Sequence, residues 1–407
     1  MAAAAPTRAD ALALDAADPL AAFVDEFVRD DPALCYLDGN SLGRLARQTE
    51  SALAAAVRGQ WGGELVRGWE HWIDLPTQVG DRLAPLIGAE AGEVVVCDST
   101  TINLYKVAAS ALDARPGRPH ILVPEGEFPT DRYVLAGLAA ATGRELRHGT
   151  PLDADEHTAL AVASVVDYRT GAIADVTSAT AHAHAVGALV CWDLSHAAGS
   201  VAVDLKAAGA DLAVGCTYKH LCAGPGAPAY LFVRRDLHEQ LRNPIWGWFA
   251  QRDQFAMDAP VEPHPDIRRF LTGTPNVLGT IAVDSAAGLV ASAGIDRVQA
   301  KGRQLTELTI AFADAHLAPL GFAVGSPREP SERGAHVVLA HPDAYRIGVA
   351  AVAAGVVPDV RPPDLLRIGP APISTTFVEV WDGLDRIRAL VERGAHLDVD
   401  TARPRVT

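Results

Sequence analysis

The sequence predicts an α/β protein with a large domain, built on a mostly parallel sheet covered by helices, and a smaller α+β domain. Three observations lead to this prediction. Short apolar runs alternate with longer helical patterns between about residues 90 and 235. The runs are continuously apolar, which indicates strands that are buried on both faces. Beyond about residue 292, helical patterns are mixed with short strands instead.

These patterns divide the chain into three predicted parts. Residues 1–55 precede the main sheet and contain helices of their own, so we expect them to pack with the small domain. Residues 56–291 form the predicted large domain and residues 292–407 the predicted small domain. A chain of 407 residues agrees with two or three domains of roughly 150 residues each.

The predicted elements follow in chain order. Six apolar runs are predicted strands of the large sheet: 93–97, 120–123, 159–166, 188–192, 212–216 and 229–233. Helical patterns at 101–112 and 174–186 follow two of them. In the small domain, the pattern predicts helices at 298–317 and 376–392 and strands at 336–340 and 365–368.

Composition excludes several classes of function. The formal net charge is −15, so we expect no nucleic-acid partner and no anionic-membrane surface. No apolar run approaches the length that spans a bilayer, and acidic residues interrupt the first twenty positions, unlike a secretory signal. Scattered cysteines without a C-x-x-C motif are typical of reduced thiols in a cytoplasm, which is the predicted location: Cys35, Cys97, Cys191, Cys216 and Cys222.

Lys219 lies where a predicted buried strand ends, in the stretch GCTYKHLCAGPGAP. Burial lowers the pKa of a lysine and frees its amine for Schiff-base chemistry. A lysine at a strand end can also simply extend its amine into solvent. The small residues that follow allow the backbone to pass close to a ligand or a neighbouring subunit.

Asp193 directly follows another predicted strand, and His196 comes three residues later. Ligands of α/β sheets bind at the carboxyl ends of the strands, and a carboxylate there can hold a protonated pyridine nitrogen. The alternative is a helix-capping aspartate with an unrelated histidine. Lys219 lies 26 residues beyond Asp193, which leaves room for one helix and one strand, so the two residues are predicted to end neighbouring strands.

Two further segments follow predicted strands. Asp98-Ser-Thr-Thr101 begins a helix, and a helix N-terminus with hydroxyl groups binds anions, although an ordinary helix cap has the same residues. Phe128 in EFPTD could stack on a planar ring, or the segment could be only a proline turn. His182 and His184 are spaced i, i+2, which places them on different faces of a helix, so we expect no metal there.

Together these segments resemble the kynureninase family, within the large aminotransferase-like family of fold type I enzymes that use pyridoxal 5′-phosphate (PLP). Six motifs carry the resemblance, in order and over most of the chain: YLDGNSLG (36–43), WDLSHAAG (192–199), YKHLCAGPGAP (218–228), GWF (247–249), IRRFLTGTP (267–275) and LRIGPAP (366–372). The resemblance implies the PLP fold type I large domain for the predicted sheet.

The resemblance also implies roles in the cofactor site. Lys219 bonds covalently to the cofactor and moves the substrate's Cα proton, Asp193 pairs with the pyridine nitrogen, and Tyr218 is a candidate proton donor near the phosphate. The other implied cofactor contacts are Thr100, Thr101, Phe128, Thr130, Asp131, His196, Trp248 and Thr274. Trp248 and Thr274 are expected to reach the site from a partner subunit, so the resemblance implies a homodimer with its active site at the interface.

For the substrate, the resemblance implies that Arg367 clamps the α-carboxylate through a bidentate pair. Asn40, His71, Trp248 and Phe249 are the candidates for its aromatic end. The implied reaction is hydrolytic Cβ–Cγ cleavage of L-kynurenine or 3-hydroxykynurenine to an anthranilate and L-alanine, in tryptophan degradation.

The sequence departs from the family pattern at four positions near the expected substrate or phosphate contacts: His220, Cys222, Ala250 and Gln251. An alternative is therefore a fold type I enzyme that acts on a modified kynurenine in secondary metabolism. A desulfurase-like lyase is another, although Tyr218 precedes the lysine where desulfurases place histidine, and no cysteine follows Cys222. A non-catalytic binding protein is the third.

Overall fold

A computed structural model describes residues 5–257 and 260–400. Residues 1–4 and 401–407, which belong to the predicted N-terminal segment and small domain, lie outside the described residues. The elements before the main sheet are α1 (Arg8–Ala17), α2 (Ala21–Val24), β1 (Cys35–Tyr36), α3 (Arg47–Ala55), α4 (Trp69–Trp72) and α5 (Leu75–Leu83). A π-helical stretch, Ala56–Glu64, continues α3.

The main sheet has seven strands: β2 (Val94–Val96), β3 (His120–Val123), β4 (Glu145–His148), β5 (Thr158–Ser164), β6 (Leu189–Asp193), β7 (Leu212–Gly215) and β8 (Tyr230–Val233). Their order is β2-β8-β7-β6-β5-β3-β4. Among these strands, β8 runs antiparallel to both of its neighbours, β2 and β7, and all other pairs are parallel. The prediction of a mostly parallel sheet is therefore confirmed.

Helices cover both faces of this sheet: α6 (Thr100–Asp113), α7 (Pro129–Thr142), α8 (Val176–Ala185) and α9 (Val277–Ala293). The strand β2 shows why its residues are all apolar. Val94 and Val96 enter the hydrophobic core on one face and Val95 enters the core on the other, because successive side chains point to opposite sides. Strand β4 was not predicted, since it is an edge strand with charged and exposed side chains.

The smaller unit contains α10 (Ile295–Phe312), β9 (Ala323–Val324), β10 (Val337–Ala340), α11 (Ala344–Ala353), β11 (Val356–Val357), β12 (Asp359–Arg361), β13 (Leu365–Ile368) and α12 (Phe377–Glu392). Its sheet is antiparallel, in the order β12-β13-β10-β9. One apolar core, built around Val337, Leu339, Leu366 and Ile368, joins this sheet to the helices.

The N-terminal residues pack against this smaller unit. Strand β1 pairs in parallel with β11, and Arg8 forms an ion pair with Asp382 at 2.6 Å. The two carboxylate oxygens of Asp15 accept from the backbone N–H groups of Phe377 and Val378 at 2.7 and 2.9 Å. Asp15 thereby satisfies two N–H groups at the start of α12 that have no partner within the helix.

Within the described residues, no single helix combines the length and apolar character needed to cross a bilayer. The α9 helix and the helical segment that follows it would reach that length together, but the pair bends by 78°.

Candidate active site

Five strands of the main sheet end around one cavity of about 140 Å³. The segments that follow β2, β3, β5, β6 and β7 each contribute to its walls. The lining residues are Ser99, Thr100, Thr101, Phe128, Thr130, Asp131, Ser164, Tyr168, Asp193, Ser195, His196, Tyr218 and Lys219. Nine of the residues predicted to contact a cofactor therefore lie around a single space, as expected for the carboxyl edge of a parallel sheet.

Lys219 follows β7 and is only partly buried. Its Nζ lies 3.0 Å from His196 Nε2, 5.8 Å from the centre of the Phe128 ring and 5.9 Å from that of Tyr218. Burial, and then the charge of Lys219, lower the pKa of His196 well below its ordinary value. The imidazole is thus neutral, and its Nε2 can accept a proton or a hydrogen bond from the lysine amine.

Buried carboxylates form the wall near Asp193. Asp193 ends β6 and accepts from the backbone N–H of Ser195 at 2.6 Å. Asp131 is completely buried, and neither of its oxygens has a hydrogen-bond donor among the described residues. Burial, followed by the charges of Asp193 and Glu127, raises the pKa of Asp131 well above its ordinary value. This wall therefore favours a ligand that brings a positive charge or an N–H donor.

The opposite part of the cavity is suited to an anion. Helix α6 begins there, and Thr100 and Thr101 form its first turn, where backbone N–H groups lack partners within the helix. The preceding turn is held by Asp98, whose positive φ of 46° is stabilised by an ion pair with buried Lys106 at 2.7 Å.

These features fit PLP. The acid pair of Asp193 and Asp131, in which Asp131 has no donor among the described residues, fits a protonated pyridine nitrogen, and the N-terminus of α6 fits the phosphate. Phe128 provides a ring that can stack on the pyridine, and Lys219 provides an amine for the aldehyde. The cofactor would supply the electron sink for reactions at the substrate's Cα.

Arg367 does not line the cavity but lies directly behind it. The residue is fully buried on β13. Its Nη1 donates to the backbone oxygen of Tyr168 at 2.8 Å, and its Nη2 donates to Ser41 Oγ at 2.9 Å and lies 2.6 Å from Asp359 Oδ2. With the Asn40 amide oxygen turned toward the guanidinium, that oxygen accepts from Nε at 2.8 Å. The described residues give Nη1 a single acceptor, which leaves one N–H for another ligand.

Asn40 is completely buried beside Arg367. It lies against Gly369, where an added Cβ would come within 1.9 Å of the Asn40 side-chain amide. The glycine of the LRIGPAP motif is therefore required for the Asn40 side chain to reach the guanidinium.

Four predicted residues lie away from the cavity of this chain. His71 is exposed and 3.1 Å from Glu64, and Trp248 and Thr274 are exposed. Phe249 is buried in the core of the large sheet and packs against Trp69, with ring centres 6.0 Å apart. The described chain therefore does not bring His71 or Phe249 to the predicted substrate site.

Four lining residues were not predicted: Ser99, Ser164, Tyr168 and Ser195. All four residues follow or end strands. Asp193 was predicted because it is a polar residue at the carboxyl end of a strand, and the same reasoning could have identified these four residues. Tyr168 is the most connected, since its ring contacts the Phe128 ring edge-on at 5.2 Å and lies under the Arg361 guanidinium at 5.9 Å. Serine and tyrosine near a strand end are common, which is why the pattern alone did not single them out.

The two histidines of α8 make separate contacts. His184 Nε2 lies 2.8 Å from Asp211, and His182 Nε2 lies 3.2 Å from the Ala154 backbone oxygen. Among the described residues, no group of three or more His, Cys, Asp or Glu side chains could hold a metal ion.

Comparison with known proteins identifies two family models along the chain. The class-V aminotransferase model matches residues 70–315, and the model of the kynureninase C-terminal domain matches residues 298–387. The chain is 40% identical over 403 residues to a kynureninase of Burkholderia pseudomallei (strain 1106a), covering 96% of both chains. It is 39% identical over 400 residues to a kynureninase of Pseudomonas fluorescens, covering 95% of this chain and 96% of that protein.

Among solved structures, a cysteine desulfurase from Escherichia coli has a TM-score of 0.77, with 18% identity over 93% of this chain and 99% of the other. At this identity the likeness shows the fold alone. The likeness supports the α/β fold class of the chain.

Proposed function

The chain belongs to the kynureninase family, and from this premise we propose the role of each active-site residue in the reaction. It is a PLP-dependent hydrolase that cleaves the Cβ–Cγ bond of kynurenine to an anthranilate and L-alanine. The observation that carries the assignment of residues is the position of Lys219 Nζ, at a cavity whose walls hold the Asp193 carboxylate and the N-terminus of α6.

Lys219 is the residue that binds the cofactor covalently, and it is the base that removes the substrate's Cα proton. His196, 3.0 Å away and neutral, accepts a hydrogen bond from the lysine amine and so directs Nζ into the cavity. When PLP is bound, Asp193 would hold its pyridine nitrogen through a charge-assisted hydrogen bond. The Thr100 and Thr101 turn would hold the phosphate, and Phe128 is placed to stack on the ring.

Arg367 holds the substrate's α-carboxylate and thereby sets the direction of the Cα–H bond toward Lys219 Nζ. The support for this role is its burial, its fixed orientation by Asn40 and Ser41, and the N–H on Nη1 that has no acceptor in the described chain. Tyr218 is our candidate for the proton donor later in the reaction, since its phenol lines the same cavity. Water adds to the γ-carbonyl carbon, and its oxygen leaves in the carboxylate of the anthranilate product.

We also infer a homodimer in which Trp248 and Thr274 reach the partner's cavity. Both residues are exposed, and neither lines the cavity of its own chain. Large apolar side chains that are exposed in the same part of the sequence support an interface there: Trp246, Trp248, Phe255, Met257 and Val261. A reducing compartment such as the cytoplasm is supported by five cysteines that are all buried and free.

A relative that acts on a modified kynurenine is the second candidate, and His220 favours it. The imidazole is buried next to Lys219 and both of its nitrogens lack partners among the described residues. A polar group of a modified substrate could therefore pair with this imidazole.

The test is a product assay of the purified protein with L-kynurenine and 3-hydroxykynurenine side by side. We expect an anthranilate and L-alanine from at least one of them. Borohydride reduction followed by peptide mapping should label Lys219, and Lys219→Ala should abolish the label. Lys206→Ala is the control, because that side chain is 67% exposed and far from the cavity. A label on another lysine would refute the assignment.

A further inference from the structure

Asp38 is a buried carboxylate that the reaction described above does not use. It belongs to the segment that follows β1, and 17% of its side chain is exposed. Its hydrogen-bond partners are Ser41 and, through the amide nitrogen at 3.1 Å, Asn40. These are the same two side chains that accept from Nη2 and Nε of Arg367. Asp38 therefore forms the layer directly behind the two groups that orient the guanidinium.

The charges around Asp38 come from three elements. Asp359 and Arg361 belong to β12, and Arg361 Nε lies 2.7 Å from Asp359 Oδ2. Arg367 belongs to β13 and lies 3.9 Å from Asp38 Oδ1. Tyr36 of β1 is a further titratable neighbour and is uncharged near neutral pH. His220 and His336 also interact with the charge of Arg367, and burial lowers the pKa of both imidazoles and so keeps them neutral. Two guanidiniums thus face two carboxylates, so the cluster is neutral when Asp38 is ionised.

A substrate carboxylate at Arg367 adds a third negative charge to this cluster. Because the cluster is buried, an uncompensated charge there is costly. Asp359 is held between both arginines at 2.6 and 2.7 Å, so it is the poorer candidate for taking up a proton. Asp38 is farther from Arg367, at 3.9 Å, and burial followed by the charge of Asp359 raises its pKa to about 6. Asp38 is therefore the group whose protonation can restore neutrality.

We propose that Asp38 is a positioning residue whose protonation accompanies the binding of the substrate carboxylate at Arg367. The proposal rests on the proposed role of Arg367. In the protonated state, Asp38 still accepts from Asn40 and can donate to Ser41, so the two groups that orient Arg367 remain in place. In the ionised state, Asp38 repels the incoming carboxylate across the guanidinium. Carboxylate affinity is then highest at low pH and falls as the pH rises above the pKa of Asp38.

The test uses the PLP-loaded protein and 3-benzoylpropionate, an aryl ketone with one carboxylate and no α-amine, which cannot bond to the cofactor. Isothermal titration calorimetry in two buffers of different ionisation enthalpy measures the protons taken up on binding. We expect the wild-type protein to take up close to one proton at about pH 7.5, and its Kd to rise roughly tenfold per pH unit above about pH 7. The cofactor absorbance, recorded in parallel, reports any titration at Lys219.

Asp38→Asn should take up no proton at that position and should bind the probe with a Kd that changes less than about threefold between pH 6.5 and 8. Asp364→Asn removes the same charge from the turn between β12 and β13, outside this cluster, and should behave as wild type. If wild type and Asp38→Asn take up the same number of protons, the proposal is overturned. The wild-type titration alone also overturns it if proton uptake is absent, so a variant that does not fold leaves the proposal testable.

The Arg367→Lys variant distinguishes the proposed role of Asp38 from the proposed role of Arg367 in binding the substrate carboxylate. If Arg367→Lys weakens binding of the probe while the pH dependence is unchanged in Asp38→Asn, only the role of Asp38 fails. If Arg367→Lys binds the probe as tightly as wild type, the carboxylate does not bind at Arg367, and the proposed function of that residue fails with it.

Discussion

Arg367 is a buried cation, and its surroundings explain how the molecule keeps it charged and oriented. Burial lowers its pKa to about 10, and Asp359 opposes that shift. A guanidinium with a pKa of about 10 is still protonated at neutral pH. Its planar set of N–H groups is held by a serine and an amide of one segment and a backbone oxygen of another. A lysine could not satisfy these directions at once.

We therefore expect Arg367→Lys to fold and bind PLP but to lower kcat/KM for kynurenine on the order of a hundredfold, because positioning and one bidentate contact are lost. Steady-state kinetics with the cofactor spectrum as a folding check measures this. Arg388→Lys, on the surface of α12 with 28% of its side chain exposed, is the matched control. A decrease in kcat/KM of less than about threefold in Arg367→Lys would show that the substrate carboxylate does not bind at Arg367.

At the scale of elements, close contacts between segments remote in sequence hold the site together. The backbone N–H of Gly43 donates to the backbone oxygen of Tyr218 at 2.8 Å. A Cβ added at Gly43 would come within 2.3 Å of the backbone oxygen of Lys219. The YLDGNSLG motif therefore packs directly on the lysine segment. Glu379 of α12 supports that motif from the other side, since it accepts from the Tyr36 N–H and forms ion pairs with Arg29 and Arg44.

The position of α12 depends on Asp15, which caps its first turn. Asp15→Ala would leave two backbone N–H groups at the start of α12 without their acceptor, so we expect the free energy of unfolding to fall by about 1–2 kcal/mol. Urea unfolding followed by circular dichroism measures the change. Glu156→Ala, at a side chain that is 78% exposed, should change stability by less than about 0.5 kcal/mol. Equal stability of Asp15→Ala and wild type would show that water replaces the cap without loss.

At the scale of the whole molecule, the exposed aromatic residues and the cavity have to be considered together. Trp248 and Thr274 contribute nothing to the cavity of their own chain, yet the family resemblance assigns them to the cofactor site. If a second copy of the chain places its Trp248 and Thr274 near the first turn of α6, these residues would belong to the cofactor site without lining the cavity of their own chain. Such isologous pairing is the commonest form of homo-oligomer.

We expect sedimentation to give a mass about twice that of the 42.8 kDa chain. Lys219→Ala and Thr274→Ala, each inactive alone, should regain part of the activity when they are mixed, unfolded and refolded together, because one of the two sites in a hybrid has both residues intact. Refolding each variant alone is the control. A fully active monomer would contradict the dimer.

Buried histidines make the whole molecule sensitive to acid. Burial, followed by the charges of Lys219 and Arg367, lowers the pKa of His220 to about 3. The unfolded chain binds a proton at His220 below about pH 6.5, whereas the folded chain does not. The contribution to stability is therefore complete above about pH 6.5 and is lost as the pH falls toward the folded value.

His220→Phe removes this titration. Between about pH 6.5 and pH 4.5, we expect its free energy of unfolding to fall by about 2 kcal/mol less than that of the wild-type protein. Urea unfolding of the cofactor-free proteins at the two pH values measures the difference. His157→Phe, at a histidine that is 58% exposed, should fall as much as wild type. An identical fall in His220→Phe would mean that His220 is protonated in the folded state.

The sequence by itself determined the sheet and the residues at its carboxyl edge. Continuous apolar runs mark strands buried on both faces, and a polar residue directly after such a run must lie at the strand end. Both are properties of a few neighbouring residues, which is why Asp193, His196 and Lys219 could be assigned to one edge. The edge strand β4 escaped the same reasoning because only one of its sides faces a core.

Only the tertiary structure decided which remote segments meet behind that edge. No local pattern places Asp38, Asn40, Asp359 and Arg361 around Arg367, because they come from separate elements joined by packing of the N-terminal residues on the smaller unit. The tertiary structure also decided the direction of side chains. Trp248 and Phe249 are adjacent in the sequence, yet Phe249 enters the core and Trp248 faces solvent. Contacts of this kind depend on the free energy of packing the whole chain, and that free energy is not a property of any short segment.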